Sequence, residues 1–350
     1  MEQKINMEHT PSPLNGWMKD ALGILLLFTF VILFFSMDLF KDGGLFTLPS
    51  SWLNVNTIFL GIVIEAVPFI LLGVFISALI QVYVSEDTIQ RYVPKKAYAA
   101  LLPAAMLGAI FPICECAIIP VVRRLIKKGM PLHVGVVFLV AAPILNPVVA
   151  ASTYFAFRND LTVFYTRFGL AFVLSIIIGA ILYTIFKNSD QLKVQKDELL
   201  GNGMAAAATP SPKPQSSGIK RTVYHAADEF FLMGKFLIAG AFIAAMFQTF
   251  LDRSLLLAIG SSDWASTGVM MAFAFVLSLC SEADAFVAAS FGSMFTTGSI
   301  AAFLVYGPML DLKNTIMLFA FFKTKFVLIF MSVVTVTVFT SIMILQLFIL

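Results

Sequence analysis

Four short stretches of this sequence place thiol, acidic or amide side chains inside apolar surroundings. Cys114, Glu115 and Cys116 lie between Pro112 and Pro120, and Cys280 is followed by Glu282 and Asp284. Asn146 sits between Pro143 and Pro147, and Asp311 follows Pro308. Thiolates favour soft metals and metalloids such as Cu(I) or Zn(II), so Cys114, Cys116 and Cys280 are candidate ligands for one. On an intact helix Cys114 and Cys116 would point about 200° apart. They can share a ligand only where the helix is unwound, and proline unwinds it by removing a backbone donor. If helical, Cys280 and Asp284 share a face. Carboxylates inside a bilayer are costly and mark ion pathways or proton relays, which makes Glu115, Glu282 and Asp284 the strongest candidates for binding a substrate or ion. Two blander roles compete: a buried cysteine can serve as a small hydrophobe, and a carboxylate can simply bond the backbone exposed at a helix break. Asn146 and Asp311 mark further breaks, where freed carbonyls can coordinate a ligand or water; Asp311, nearer a segment end, is also placed to face water. The expected breaks are at Pro112, Pro120, Pro143, Pro147 and Pro308. Glu65, with Pro68 close by, reads as one more buried acid, serving either the site or a structural hydrogen bond.

The surroundings of these residues are those of a membrane protein. Of the 350 residues 59% are hydrophobic and 12% charged, against roughly 25% charged in a soluble domain. The apolar residues form blocks near the ~20 residues that a helix needs to cross a bilayer. Nine such segments are expected, at about 21–40, 57–83, 98–122, 131–157, 163–186, 230–251, 266–291, 299–321 and 326–349. The fold class is therefore an all-α polytopic helical bundle. A net charge of +3 spread over the loops gives no reason to expect a nucleic-acid partner. The odd number of cysteines, three, argues against a disulfide framework. The block Ala21–Met37 is followed by Asp38 and Lys41 with no small-residue cleavage site, and reads as a retained span rather than a signal peptide.

The chain also repeats itself. GVFISALIQ at Gly73–Gln81 recurs as GAFIAAMFQ at Gly240–Gln248, and FLVAAPILN at Phe138–Asn146 recurs as FLVYGPMLD at Phe303–Asp311. The acidic cysteine stretches fall between these landmarks in both halves. The expected organisation is an N-terminal tail with an additional first segment (1–56), a first membrane repeat (57–186), a cytoplasmic flexible linker rich in Lys, Ala, Pro and Ser (187–229), and a second repeat (230–350). If every segment crossed, the basic loops would fall on both sides of the membrane, against the positive-inside tendency. If one segment per half enters and leaves on the same side, the N-terminus, the loop of Arg91, Lys95 and Lys96, the RRLIKK stretch (Arg123–Lys128), the linker, and Lys313, Lys323 and Lys325 all fall inside. The best candidates for such re-entrant segments are 98–122 and 266–291, with 131–157 as a rival. Trp17, Trp52 and Trp264 then sit in interfacial belts. The count becomes about 7–9 membrane segments, in two repeats inverted with respect to one another, an architecture recurrent in secondary transporters.

Other polar residues read as structural. The RRLIKK stretch is expected to set topology and meet anionic headgroups; His133 and His225 are expected at interfaces; Gly73 and Gly240 are expected to permit close helix packing. The combination of PICECAIIPV, the basic loop after it, AAPILNPV and CSEADAF resembles the predicted permease family that includes the ArsP-type organoarsenical efflux permeases, over nearly all of the chain after its first segment. The resemblance implies a bacterial inner-membrane permease. In the arsenic-exporting members the passenger is a trivalent, thiol-seeking organoarsenical, which would suit Cys114, Cys116 and Cys280. It also implies a small permease-associated partner protein. A secondary transporter moving a small molecule or ion by alternating access is thus the leading expectation, with membrane lipids as its surroundings. An intramembrane redox protein or enzyme, or the membrane subunit of a larger transport complex, is the alternative. No Walker loop, H-E-x-x-H, G-x-S-x-G or C-x-x-C-H motif occurs, so neither P-loop ATP hydrolysis nor a cofactor is expected.

Overall fold

The computed structural model describes residues 50–85, 97–111, 113–187, 191–193, 218–250, 263–292 and 294–348. The apolar segment at 21–40, Trp17, Pro112, the loop of Arg91, Lys95 and Lys96, and the middle of the linker lie outside them. The chain divides into two compact units, 1–56 and 57–350. Of the first, only the opening of helix α1 (Ser50–Tyr83) is described.

Nearly everything described is helix, because a continuous apolar run in a membrane must satisfy its backbone groups within itself. After α1 come α2 (Leu101–Ile110), α3 (Glu115–Lys127), α4 (Leu132–Leu145), α5 (Pro147–Ala156) and α6 (Leu161–Phe186). The second half repeats that order as α7 (Gly218–Phe250), α8 (Asp263–Leu277), α9 (Asp284–Ser290), α10 (Thr297–Met309), α11 (Leu312–Phe321) and α12 (Thr324–Phe348). Among the described residues five stretches are long and apolar enough to cross a membrane: 51–83, 132–156, 161–186, 229–250 and 324–348. The other apolar segments among the described residues are divided into pieces shorter than a span.

Among the described residues each half is interrupted twice. The two candidates at 98–122 and 266–291 are interrupted, at 111–114 and 278–283, and so are 131–157 at Asn146 and 299–321 at Leu310–Asp311. Chain chemistry explains the second pair. Pro143 and Pro308 sit near the C-terminal ends of α4 and α10 and withhold donors from the turns before them. Pro147 then occupies the first turn of α5, where its missing N–H costs nothing. Asn146 and Asp311 cap the helices that follow, accepting from Val149 N at 2.9 Å and Asn314 N at 2.8 Å.

Pro120 does not act as a break. It lies within α3, and the helix runs on through it although the Cys116 carbonyl loses its usual donor. The cost, about 3 kcal/mol for an interior proline, is offset by packing: every residue from Glu115 to Arg123 is buried. The helix ends instead at Gly129, whose φ of 95° suits glycine.

Helices α4 and α10, one from each half, form the interior and pack on one another; nearly all their residues are buried. The span 132–156 is 72% buried, against 33% for α6 and 28% for α12, which therefore lie outside it. The repeated glycines join these layers. A Cβ on Gly73 would come within 2.6 Å of the Ala117 carbonyl oxygen, and one on Gly240 within 3.2 Å of the Lys313 Cα. Each glycine thus lets a long outer helix approach a half-helix that carries site residues.

The ends of the expected linker are structured. Leu192 forms an isolated antiparallel bridge with Phe322, and α7 already begins at Gly218. Much of the RRLIKK stretch is engaged by the protein itself. Arg123 is 3% exposed and its guanidinium lies 4.8 Å from the Phe321 ring centroid. Arg124 pairs with Glu229 at 3.1 Å, and Lys128 donates to the Gln81 carbonyl at 2.8 Å. Glu229 also accepts from the Ser77 hydroxyl at 2.7 Å. Both arginines turn toward the acid of α7, Glu229.

Candidate functional site

Three of the four interruptions meet through named contacts. Glu115 is the first residue of α3, where the positive end of the helix favours a carboxylate. It is 3% exposed, and both its oxygens are engaged by the second half of the chain. Oε1 receives the Lys313 ammonium at 3.1 Å, and Oε2 accepts from the Ser281 hydroxyl at 3.0 Å. Lys313, in the first turn of α11, also donates to the Ser278 carbonyl at 2.8 Å and lies 3.5 Å from Asp311 Oδ2. Ser278 adopts φ 47°, a left-handed conformation costly for a side chain other than glycine. Its carbonyl meets Lys313, and its hydroxyl accepts from Leu312 N at 3.2 Å.

A second ion pair runs the opposite way. Arg167 of α6, 0% exposed, donates to Asp284 Oδ2 at 2.9 Å, to the Ser281 carbonyl at 3.1 Å and to Thr153 Oγ1 at 2.8 Å. The first half therefore supplies the acid of one pair and the base of the other, and Ser281 touches both. Glu282 differs: it is partly exposed and accepts from the Cys280 thiol at 2.7 Å. Glu65 lies within electrostatic range of Glu282.

The candidates from sequence are thus distributed unevenly. Glu115, Asp284, Asp311, Cys280 and Glu282 are brought into one neighbourhood with Lys313 and Arg167. Cys114 ends the interruption before α3 in an extended conformation, which brings its thiol within interaction range of that of Cys116. All three cysteines are free and buried. Among the described residues no group of three or more His, Cys, Asp or Glu side chains is placed to hold a metal ion. Asn146 is 1% exposed, and its hydrogen bonds run to its own segment, at the Ala142 and Pro143 carbonyls and Val149 N. Its amide repays the Pro143 carbonyl the donor that Pro147 withholds. Asp311 is 1% exposed and does not face water. Glu65 is exposed, not buried.

Sequence reasoning expected Lys313 only as a basic residue on the inner side and overlooked Arg167, Ser278, Ser281 and Thr153. Lys313 is 4% exposed and bound to two acids. The repeat held a signal, since the position matching Lys313 in the first half is Val148. Arg167 lies five residues into the apolar block that begins at about 163, and no neighbour in sequence names its partner.

Comparison with known proteins places these motifs. The profile of a family described as a predicted permease matches residues 51–347. The chain is 50% identical over 292 residues to the UPF0718 protein YcgR of Bacillus subtilis (strain 168), covering 83% of this chain and 97% of that one. It is 40% identical over 291 residues to a putative two-component membrane permease complex subunit of Streptococcus mutans, covering 81% and 92%. No solved structure matches the chain.

Proposed function

Because this chain belongs to the ArsP-type predicted permease family, a family of multi-pass membrane proteins, we propose that it is a secondary transporter whose two halves, inverted with respect to one another, bind a small solute where their interrupted helices meet. The observation that carries this reading is the reciprocal pairing of charge across the halves: Glu115 with Lys313, and Arg167 with Asp284. Such pairs are costly to bury and strongly destabilising to leave half-made, so they suit an interface that must close in a defined register. Rocking of one half against the other gives alternating access. In this reading the interrupted segments 98–122 and 266–291 are re-entrant, the protein lies in a bacterial inner membrane, and its N-terminus and linker face the cytoplasm.

The passenger is a small thiol-seeking species, for which Cys114, Cys116 and Cys280 line the approach beside Glu282. A trivalent organoarsenical meets that description with two-point thiol binding, which Cys114 and Cys116 support. The relative named as a complex subunit supports a second membrane protein as partner, to be sought by co-purification from the native membrane. The transport test is flux of a trivalent methylarsenical, and separately of Cd2+, into proteoliposomes. Glu115→Gln and Glu282→Gln are expected to lose flux while remaining folded, and Cys114→Ser/Cys116→Ser to lose it for thiol-seeking probes alone. Unchanged flux in both acid variants would sink the site.

A further inference from the structure

The Lys313 ammonium is held as a bound cation would be held. Its three N–H donors face three oxygens: Glu115 Oε1 at 3.1 Å, the Ser278 carbonyl at 2.8 Å and Asp311 Oδ2 at 3.5 Å. These oxygens come from α3, from the interruption after α8 and from the cap of α11, so the cage exists only when both halves are together. Lys313 is 4% exposed, and Gly240 of α7 lets that helix close against its backbone. Nothing local requires an ammonium at this position, since the matching residue of the first half is Val148.

The cage is also richer in negative charge than its occupant. Two carboxylates share one ammonium, and Asp311 Oδ2, in a residue 1% exposed, has the Lys313 nitrogen at 3.5 Å and no closer donor. A buried carboxylate oxygen paired this loosely favours a cation that approaches more closely. Partly exposed Glu282 lies within electrostatic range of Glu115, and exposed Glu65 within range of Glu282. Acids therefore lead from the exposed face of α1 to the caged ammonium.

We propose that Lys313 is a tethered competitor for a small coupling cation: the ion binds Glu115 and Asp311 when the ammonium swings out, and the ammonium refills the cage when the ion leaves. This deepens, and rests on, the reading of the protein as a transporter. The exchange makes and breaks no covalent bond. For a monovalent ion it leaves the site with the same net charge whether loaded or empty, since one positive charge always lies between the two carboxylates. The groups facing the ammonium are Glu115 and Cys116 of α3, Cys280 after α8, and Asp311 of its own segment.

The test measures binding without flux. Thermal unfolding of the full-length protein in detergent is followed against Na+ (choline replacing it), against Cd2+, and against pH. Lys313→Met is expected to be stabilised by one of these cations at a concentration at least tenfold lower than wild type. Lys313→Arg is expected to behave as wild type, and Glu115→Gln/Lys313→Met to lose the response. If Lys313→Met does not fold, Lys313→Gln, which keeps a polar group in the cage and both carboxylates but no charge, gives the same comparison. A midpoint unmoved by removal of the ammonium, for all three cations, overturns the proposal. Tightened binding in a protein that carries no solute in proteoliposomes would instead count against the transporter reading, and flux without tightened binding against the tethered competitor alone.

Discussion

The interruption before α3 and the interruption after α8 carry matching stretches, Cys114-Glu115-Cys116 and Cys280-Ser281-Glu282, whose acids end in different surroundings. Glu115 is buried and bonded through both oxygens, to Lys313 and to Ser281, the residue that aligns with Glu115 itself. Glu282, displaced by one position, is partly exposed and receives a hydrogen bond from the neighbouring Cys280 thiol. One repeat has turned its acid into a tie between the halves. The other keeps its acid at the mouth of the cluster, with Glu65 beyond it. A duplicated motif can thus divide its work when a single-residue shift alters which side of an interruption the carboxylate faces.

The comparison can be broken most sharply at Arg167. Arg167→Met leaves Asp284 buried without its cation and removes the bonds to Thr153 and the Ser281 carbonyl. A loss of about 3–5 kcal/mol is expected, read as a lowered unfolding midpoint in detergent, with Arg167→Met/Asp284→Asn recovering part of it. Glu115→Gln keeps the Ser281 bond but withdraws the charge facing Lys313. It should cost about 1.5–3 kcal/mol, the range for a hydrogen bond to a charged group, and Lys313→Arg should cost less. Gly73→Ala drives a Cβ to 2.6 Å from the Ala117 oxygen, two residues from Glu115. It should cost about 1–3 kcal/mol as overpacking, while Gly240→Ala, whose nearest contact would be 3.2 Å, should cost less. Glu282→Gln should leave stability within about 0.5 kcal/mol of wild type and lower flux. If it destabilises the protein as much as Glu115→Gln does, the proposed division between the two acids is wrong.

Much of the fold was legible because its signals are local. Apolar blocks, the proline-flanked Asn146, and the recurring nonapeptides each speak within about ten residues. Interruption by proline was the less dependable signal. Pro143, Pro147 and Asn146 act together at one point, whereas Pro120 alone is overruled by the packing of α3. Of the candidate site, the acids were legible as charges in an apolar setting. Their partners were not, since Lys313 and Arg167 sit near segment ends, where a basic residue is ordinarily interfacial.

The sequence alone determined that this chain enters a membrane repeatedly, and it predicts a duplication in which thiols and acids gather at matching interruptions. These follow from hydrophobic patterning, which sums over neighbours along the chain. Only the tertiary structure decided that Glu115 meets Lys313, 198 residues away, and that Arg167 answers Asp284. A buried charge must find its counter-charge in space, and nothing in its immediate sequence says from which helix that partner will come.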